Sequence, residues 1–345
     1  MGLLEKARHE RNLKKVPIRI LINGTRGKTT LTRLLVASLN AAGIRTIGRT
    51  TGSEAAVIYP DGRIESIIRH RSARVYEIIK FFRLAAGEKA ECAVVECMAL
   101  QSENQKAFRD SLVKPGTVVI VNTFVDHVPE MGDTRESTSR VLGLSVPKNA
   151  ELYVTEHFYD SFEHVHFVDI PENGIEVNGI HPSAIAIASA VLKDMDIEPS
   201  ALDEGIKNFV PDKGLLNPFN VGTGSSFVPS FSINDLTCMD AAIKKWSRDG
   251  RKLSVIYNNR KDREYRIGLF MKVLKDNKDS ISNVYVIGDY RRKVAFHFNS
   301  VVPSSPYDVD DLKNTIMNSK NSLFVGLGNI KGKGEELISL FEKES

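Results

Sequence analysis

The first half of the chain alternates short apolar runs with segments of helical periodicity. The stretch "VPIRILIN", residues 16–23, has the composition of a buried strand. A helix should follow it, because apolar residues recur at helical spacing and Gly43 then stands where a C-cap is expected. These apolar residues are Leu31, Leu34, Leu35, Leu39 and Ala42. Buried strands are also predicted at "CAVVEC" (92–97) and "TVVIVNT" (117–123), and the helical segments between them indicate a parallel sheet.

The same alternation restarts after a segment rich in proline, glycine and asparagine. That segment, "PDKGLLNPFNVGTGSS", covers residues 211–226 and indicates a domain boundary. Beyond it, the apolar runs "FVPSFS", "KLSVIYN", "NVYVIG" and "LFVGLG" predict strands separated by helices. We therefore expect an α/β protein with two domains, residues 1–213 and 214–345.

Composition adds three restrictions to this picture. A net charge of +4 over 345 residues does not indicate a nucleic-acid-binding protein. The three cysteines, Cys92, Cys97 and Cys238, lack the spacing of metal ligands and are typical of a reducing compartment. No signal peptide is recognisable, and the apolar stretch "AIAIASAVL" is far shorter than the ~20 residues of a membrane helix. These features predict a cytoplasmic protein.

The stretch "GTRGKTT", between the first strand and its helix, has the layout of a phosphate-binding loop. The general pattern GxxxxGK[ST] would place a glycine at position 22, where this chain has Ile22. The remaining pattern still supplies glycines that let backbone N–H groups face phosphate, a lysine, and a hydroxyl for Mg²⁺. A chance strand-to-helix turn is the alternative, and the matching strand, glycines and helix disfavour it. The nucleotide-binding candidates are Gly24, Thr25, Arg26, Gly27, Lys28, Thr29 and Thr30.

Acidic, amide and imidazole side chains follow the next two predicted strands. Glu96 ends "CAVVE", and "TVVIV" is followed by Asn122, Asp126 and His127. Since the carboxyl ends of parallel strands meet at one edge of a sheet, we expect these groups beside the loop. Together with Thr29, Glu96 and His127 are candidate metal ligands. A helix cap is the alternative for Glu96, and a structural role is the alternative for His127.

Several sequence blocks together resemble a known family. "GTRGKTT" resembles the loop of Mur-type ligases, which also lack the first glycine, and "VNTFVDHVPEMGDT" resembles a second Mur segment. With "VVECMALQSE", "FSINDLTCM", "YNNRKDREYR" and "GLGNIKGKGEEL", the chain is similar to the ligase subunits of poly-γ-glutamate synthases, within the Mur ligase superfamily. This resemblance implies a Mur-ligase-like α/β fold, in which a P-loop parallel-sheet ATPase domain precedes a smaller Rossmann-like domain.

The resemblance also implies an activity. ATP would phosphorylate the γ-carboxylate of a poly-γ-glutamate chain, and the amine of glutamate would attack the acyl phosphate, with ADP and phosphate as the other products. The implied cofactors are ATP and Mg²⁺. The implied partners are glutamate, the polymer and a small integral membrane synthase or export subunit, which would place the chain at the inner face of the membrane. Oligomeric state, glutamate stereochemistry, acceptor length and a preceding membrane anchor stay open.

Site residues transfer from the family position by position. In the first domain, the resemblance assigns ATP and Mg²⁺ to the phosphate loop, and a metal to Glu96 and His127. In the second domain, Asn234 and Asp235 match a short acidic motif that faces ATP. Three further residues match a block that grips the glutamate carboxylate or the nucleotide, for which a solvated loop is the alternative: Arg260, Asp262 and Arg263. The catalytic candidates are Lys28, Glu96, His127, Asp235 and Arg260.

Departures from the family pattern leave alternatives open. "TSRVLGL" has no lysine where Mur ligases carry a carbamylated one, "GLLNPF" lacks an arginine, and His181 and Ser183 replace an asparagine near adenine. A second metal site is therefore in doubt. The chain could instead be a Mur-like or folylpolyglutamate-synthase-like ligase for another carboxylate acceptor. A regulatory P-loop ATPase that forms no bond is the alternative from a different class.

Overall fold

Two β-sheets, each with its own helices, organise the chain. The computed structural model describes residues 2–51, 55–67, 76–172, 174–211, 218–221, 223–234 and 236–343, apart from the side chain of Thr237. The chain divides into unit 1, Met1–Pro211, and unit 2, Asp212–Ser345. Within these residues no helix is both long and apolar enough to cross a membrane.

Unit 1 contains the predicted parallel strands. Its strands are β1 (Ile18–Asn23), β2 (Thr46–Thr50), β3 (Ala56–Ile58), β4 (Ile64–Ser66), β5 (Cys92–Glu96), β6 (Thr117–Ile120), β7 (Glu151–Val154) and β8 (Val165–Phe167). Its helices are α1 (Leu3–Lys15), α2 (Lys28–Ala41), α3 (Glu77–Gly87), α4 (Ser102–Ala107), α5 (Val128–Met131), α6 (Arg135–Gly143), α7 (Pro182–Asp194) and α8 (Pro199–Lys207). A π-helical turn, Phe108–Leu112, extends α4.

The strand order of unit 1 brings three strand ends together. The described strands form one sheet in the order β4-β3-β2-β5-β1-β6-β7-β8. It is parallel from β2 to β8 and antiparallel at β3 and β4. In this register Ile22 of β1 lies beside Glu96 of β5, and Asn23 lies beside Ile120 of β6. The loops after β1, β5 and β6 therefore start from the same edge, as the sequence predicted.

Apolar side chains cover both faces of this sheet. One core cluster includes Leu21 and Val95, and another includes Ile22 and the α2 leucines. Successive strand residues point to opposite faces, so the continuous apolar runs reflect burial on both sides. The α2 leucines predicted to be apolar contacts are completely buried: Leu31, Leu34, Leu35 and Leu39. Each contributes about 1.5–3 kcal/mol by burial, which fixes α2, and with it the preceding loop, against β1.

Unit 2 is a second α/β layer structure. Its strands are β9 (Phe219–Val221), β10 (Ser225–Val228), β11 (Lys252–Asn259), β12 (Asn283–Gly288), β13 (Ser304–Pro306) and β14 (Ser322–Leu327). Its helices are α9 (Leu236–Ser247), α10 (Tyr265–Asp276), α11 (Arg291–Phe298), α12 (Val309–Met317) and α13 (Lys333–Glu342), with 3₁₀ turns at Lys261–Arg263 and Lys278–Ser280. The described strands pair in the order β13-β12-β11-β14-β10-β9, and β9 is antiparallel to β10.

One predicted strand of unit 2 is shorter than expected. The run "FVPSFS" was expected to be extended throughout, but β10 ends at Val228. Pro229 follows and has no N–H to continue the parallel ladder with β14. Phe231 is still completely buried. The run is apolar because its residues are buried both in the strand and in the turn that follows it, so the apolar pattern alone did not show where the strand ends.

Candidate functional site

The loop between β1 and α2 has the backbone conformation that phosphate binding requires. Gly24 has a φ of 121° and Gly27 a φ of 79°, both in the region that favours glycine. A Cβ on Gly24 would lie 3.0 Å from the backbone nitrogen of Val121, so the loop also packs too closely for a side chain. Gly27 directly precedes α2, whose first N–H groups have no acceptor within the helix. These N–H groups and the helix dipole favour an anion at this position.

The missing first glycine has a structural explanation. Ile22 is still within β1, is completely buried, and belongs to the core cluster that includes Leu31 and Leu34. Since the chain leaves the strand only after Asn23, position 22 needs no special backbone conformation. The phosphate loop therefore begins at Gly24, and an apolar side chain at position 22 strengthens the core beneath it.

Asn122 clamps the loop from the neighbouring strand. Its Oδ1 accepts a hydrogen bond from the Arg26 backbone N–H (3.0 Å), and its Nδ2 donates to the Arg26 carbonyl oxygen (3.1 Å). The backbone oxygen of Asn122 accepts from the N–H of Thr25 at 3.2 Å, and the Thr25 hydroxyl donates to the Phe124 carbonyl at 3.0 Å. Asn122 thus holds both polar groups of one loop residue, and its observed contacts are with the loop backbone.

A charged contact ties the same loop to the segment after β6. Arg26 Nη2 lies 3.0 Å from Asp126 Oδ2, and Asp126 Oδ1 accepts from the His127 backbone N–H at 2.9 Å. His127 has a φ of 52° and a ψ of 50°, a left-handed conformation that is uncommon for a residue with a side chain. Such strain is frequently found at functional positions. The imidazole Nε2 lies 3.8 Å from Asp126 Oδ2.

Lys28 is half-buried and turned toward the loop. Its Nζ donates to the carbonyl oxygens of Gly24 (2.7 Å) and Thr25 (3.2 Å). Burial lowers the pKa of the Lys28 ammonium, and the nearby Glu96 carboxylate opposes part of that shift. The lysine is therefore held inside the loop rather than on an open surface, and Thr30 behind it is buried.

Glu96 and Thr29 lie together, as a shared metal role requires. The Glu96 side chain is only 2% exposed. Its Oε2 accepts from the Thr29 hydroxyl at 2.9 Å and from the backbone N–H of Thr51 at 2.8 Å. A carboxylate and a hydroxyl are hard oxygen ligands of the kind that Mg²⁺ prefers, so this pair fits the ion. Among the described residues, no group of three or more His, Cys, Asp and Glu side chains is arranged to hold a metal.

Sequence reasoning missed a buried polar network beneath the loop. Asn23 Nδ2 donates to Gln105 Oε1 (2.8 Å) and to Ser145 Oγ (2.9 Å), while Asn23 Oδ1 accepts from the Gly24 N–H (2.9 Å). Gln105 Nε2 also donates to the Ala99 carbonyl at 2.9 Å, which links this network to the segment after Glu96. Gln105 and Ser145 are fully buried. Gln105 and Ser145 are 82 and 122 residues away from Asn23 along the chain, so no local sequence pattern indicates these contacts.

In unit 2, the predicted residues Arg260, Asp262 and Arg263 lie at the carboxyl end of β11. Arg260 Nη2 pairs with Asp262 Oδ2 at 2.7 Å, and Arg263 Nη1 donates to the Tyr265 hydroxyl at 3.4 Å. Asn234 is partly buried just before α9, next to Ile233, whose carbonyl accepts from the Gly328 N–H after β14. Asp235 lies outside the described residues.

His181 and Ser183 have a local structural role. His181 is the N-cap of α7, and its Nδ1 accepts from the Ser183 backbone N–H at 3.2 Å. The Ser183 hydroxyl lies 2.8 Å from the same nitrogen. These contacts cap the helix, and a role near adenine stays a prediction.

Solved structures of a folylpolyglutamate synthase and of MurF have the same architecture. The chain superposes on the bifunctional folylpolyglutamate synthase/dihydrofolate synthase of Yersinia pestis, solved with AMPPNP and a Mn ion. The TM-score is 0.74 at 14% identity, covering 99% of this chain and 93% of that one. It also matches MurF of Acinetobacter baumannii with a TM-score of 0.69 at 14% identity, covering 97% and 79%. The predicted fold class, a Mur-ligase-like pair of α/β domains, is confirmed.

Sequence comparison finds similarity to one group of proteins. Residues 217–344 match the model of the poly-gamma-glutamate synthase CapB C-terminal domain. PGA synthase CapB of Bacillus subtilis (strain 168) is 28% identical over 371 residues, covering 98% of this chain and 93% of that protein. The carboxyl-terminal part of the chain thus matches the CapB C-terminal domain, and nearly the whole chain is similar to CapB proteins, which confirms the resemblance found in the sequence blocks.

Proposed function

We propose that this protein is an ATP-dependent amide ligase that adds glutamate to the γ-carboxylate of a poly-γ-glutamate chain. The observation that carries the proposal is the Asn122-clamped phosphate loop with Thr29 and Glu96 beside it, in a chain that is similar to CapB proteins. The loop supports nucleotide binding, and the family supports the choice of glutamyl substrate. We propose residues 1–213 as the ATP-binding domain and residues 214–345 as the ligase domain.

The proposed reaction has two steps. An oxygen of the acceptor γ-carboxylate attacks the γ-phosphorus of ATP, the bond to ADP breaks, and an acyl phosphate forms. The amine of the incoming glutamate then attacks the carbonyl carbon, an amide bond forms, and phosphate leaves with the former carboxylate oxygen. The amine loses a proton to a base or to water. Catalysis of such phosphoryl transfer depends on positioning and on neutralising charge.

The loop residues suit the first step. Lys28 brings a positive charge that the loop already holds in place, and the N–H groups at the start of α2 supply further donors to phosphate oxygens. Thr29 and Glu96 would hold Mg²⁺, with His127 as a further proposed ligand. When bound, Mg²⁺ would neutralise negative charge on the phosphate oxygens. In unit 2, Asn234 and Asp235 are proposed to face ATP, and Arg260 and Arg263 to bind a glutamate carboxylate.

Partners and location are proposed on the same basis. The amino-terminal helix α1 exposes Leu3 and Leu4 (both 89%) and carries a series of basic side chains. These are Lys6, Arg8, Arg11, Lys14 and Lys15. Each basic residue near an anionic membrane surface is worth about 1 kcal/mol. We propose that the protein works at the cytoplasmic face of the membrane with a small integral membrane subunit.

Trapping the activated carboxylate tests the reaction. Hydroxylamine should replace the amine and yield a γ-glutamyl hydroxamate in a reaction that requires both ATP and Mg²⁺. Release of phosphate should rise when glutamate and a γ-glutamyl oligomer are present together. Hydroxamate formation on another carboxylate acceptor, with none on glutamyl acceptors, would favour the related ligase function. ATP hydrolysis without any acceptor dependence or hydroxamate would favour a regulatory ATPase.

Asn122 gives a more selective test of the nucleotide loop. In Asn122→Ala, both backbone partners at Arg26 lose their hydrogen bonds. We expect the ATP KM to rise about tenfold, and the free energy of unfolding to fall by about 1–3 kcal/mol. ATP titrations and thermal unfolding measure the two effects. Asn149→Ala, at an exposed position of the same unit, is the control. An unchanged ATP KM in Asn122→Ala would show that the hydrogen bonds of Asn122 to Arg26 do not contribute to nucleotide binding.

A further inference from the structure

Two asparagines join the carboxyl ends of β11 and β14 by reciprocal hydrogen bonds. Asn258 Nδ2 donates to the Asn329 carbonyl oxygen, and Asn329 Nδ2 donates to the Asn258 carbonyl oxygen at 3.0 Å. Asn258 Nδ2 also lies 3.1 Å from the Lys331 carbonyl oxygen. The regular pairing of the two strands ends at Tyr257 and Leu327, one residue before Asn258 and two residues before Asn329. The side chains thus continue the connection where the backbone ladder stops.

Glycines make room for this pair on neighbouring elements. A Cβ on Gly334, at the start of α13, would lie 2.8 Å from the Asn329 carbonyl oxygen and 3.0 Å from Asn258 Nδ2. A Cβ on Gly288, at the end of β12, would lie 2.5 Å from Asn258 Oδ1. Asn258 and Asn329 are only 1% and 4% exposed. The asparagine pair is therefore packed against the ends of β12 and α13 as well.

Arg266 fixes the orientation of one of these amides. Its Nη1 donates to Asn329 Oδ1 at 2.6 Å, and Arg266 itself is only 6% exposed. A guanidinium can only donate, so Asn329 must present its oxygen to Arg266 and its NH₂ group to Asn258. Arg266 lies in the first turn of α10, directly after the turn that contains Arg260 and Arg263. It thereby connects that turn to the segment after β14.

The cluster lies where an open α/β sheet is expected to bind ligands. Helices α9, α10 and α11 pack on one face of the sheet, through Ile243, Phe270 and Val294 among others. Helices α12 and α13 pack on the other face, through Leu312 and Leu337. The adjacent strands β11 and β14 are thus followed by helices on opposite faces, which is the arrangement that opens a crevice at the strand ends. Asn258 and Asn329 join the ends of these two strands at the crevice.

We propose that Asn258, Asn329 and Arg266 are positioning residues for the amino-acid substrate of unit 2. They hold the turn that presents Arg260 and Arg263, together with the segment after β14, in the geometry that binds a glutamate carboxylate. The inference rests on the proposed function, and it adds the residues that set the shape of the binding turn. A purely structural role would lower stability without a selective change in substrate binding.

Three variants separate these roles. Arg266→Met removes the donor to Asn329, whereas Arg266→Lys keeps a positive donor. Asn329→Asp keeps the acceptor for Arg266 and removes the amide donor to Asn258. Because each loss releases the turn, Arg266→Met and Asn329→Asp should raise the glutamate KM about tenfold, with the ATP KM within about twofold of wild type. Arg266→Lys should restore part of the glutamate affinity.

Hydrogen exchange gives a readout that does not depend on activity. Peptides covering residues 257–264 and 327–334 should exchange about tenfold faster in Arg266→Met, with unchanged exchange in unit 1. Lys272→Met, at an exposed position of α10, removes the same charge and should change neither exchange nor the glutamate KM. Equal changes in the glutamate and ATP KM, or unchanged exchange in both peptides, would overturn the proposal. If the wild type forms no glutamyl amide, the proposed function fails, and the exchange result alone decides whether these residues hold the turn.

Discussion

Replacing Lys28 by methionine is expected to abolish ATP turnover while the protein stays folded. Hydrogen bonds to the Gly24 and Thr25 carbonyl oxygens hold the Lys28 ammonium within the phosphate loop. Loss of a positive charge that stabilises the transferring phosphoryl group should lower the rate about 10²-fold or more. Methionine keeps the length and apolar stem of the side chain. It also removes a charge whose burial is unfavourable, so stability should change little.

Phosphate release with Mg-ATP, glutamate and a γ-glutamyl acceptor measures this effect, and a thermal melt confirms folding. Lys193→Met, at an exposed position of α7, is the matched control for removing one lysine from the same unit. It should retain wild-type turnover. Loss of a transition-state contact should change turnover far more than about twofold. If turnover in Lys28→Met stays within about twofold of wild type, the loop takes no part in catalysis.

The parts of the fold that could be predicted are those with a strong local pattern. Strands β1, β5 and β6 are continuous apolar runs because both faces of the sheet are covered, and α2 shows its leucines at regular spacing. The phosphate loop is predictable for the same reason, since its lysine and glycines are adjacent in the sequence. Local order along the chain was enough to place Glu96 and Asn122 at one sheet edge.

Other parts depend on contacts that the sequence does not display. The edge strand β8 has only three residues and is partly exposed, so its apolar signal is weak. Gln105 stands in the polar stretch "SENQKA", where a solvated helix is the natural interpretation, yet it is completely buried against Asn23. Arg266 similarly follows a run of charged residues and is buried. Partners 82 and 63 residues away explain the burial of these two side chains.

Asn122 shows how a correct position can be predicted with an incomplete role. Its place after β6 indicated contact with the nucleotide loop, and the structure places it against Arg26. The two hydrogen bonds, however, are to backbone groups, so we propose that Asn122 affects ATP binding through the shape of the loop. The order of residues along the strands therefore predicted that Asn122 lies near the loop. Its hydrogen-bond partners could be identified only from the structure.

Glu96→Gln should separate the metal role of Glu96 from its structural role. Glutamine has nearly the same shape, and its amide oxygen can still accept from the Thr29 hydroxyl and the Thr51 N–H. The hydrogen bonds that would explain Glu96 without a metal are therefore retained, and the melting temperature should stay close to that of the wild type. Only the negative charge and one acceptor oxygen are lost.

If Glu96 holds Mg²⁺, this loss should lower ATP turnover about 10²-fold, because a hard cation binds an anionic oxygen far better than an amide. More Mg²⁺ should also be needed for half-maximal turnover. The variant should lower the pKa of Lys28 further, since the Glu96 carboxylate is the largest influence that raises it. Glu103→Gln, at an exposed position at the start of α4, serves as the control and should behave as wild type. If turnover and Mg²⁺ dependence are both unchanged in Glu96→Gln, Glu96 only accepts hydrogen bonds from Thr29 and Thr51. The metal would then have to be held elsewhere.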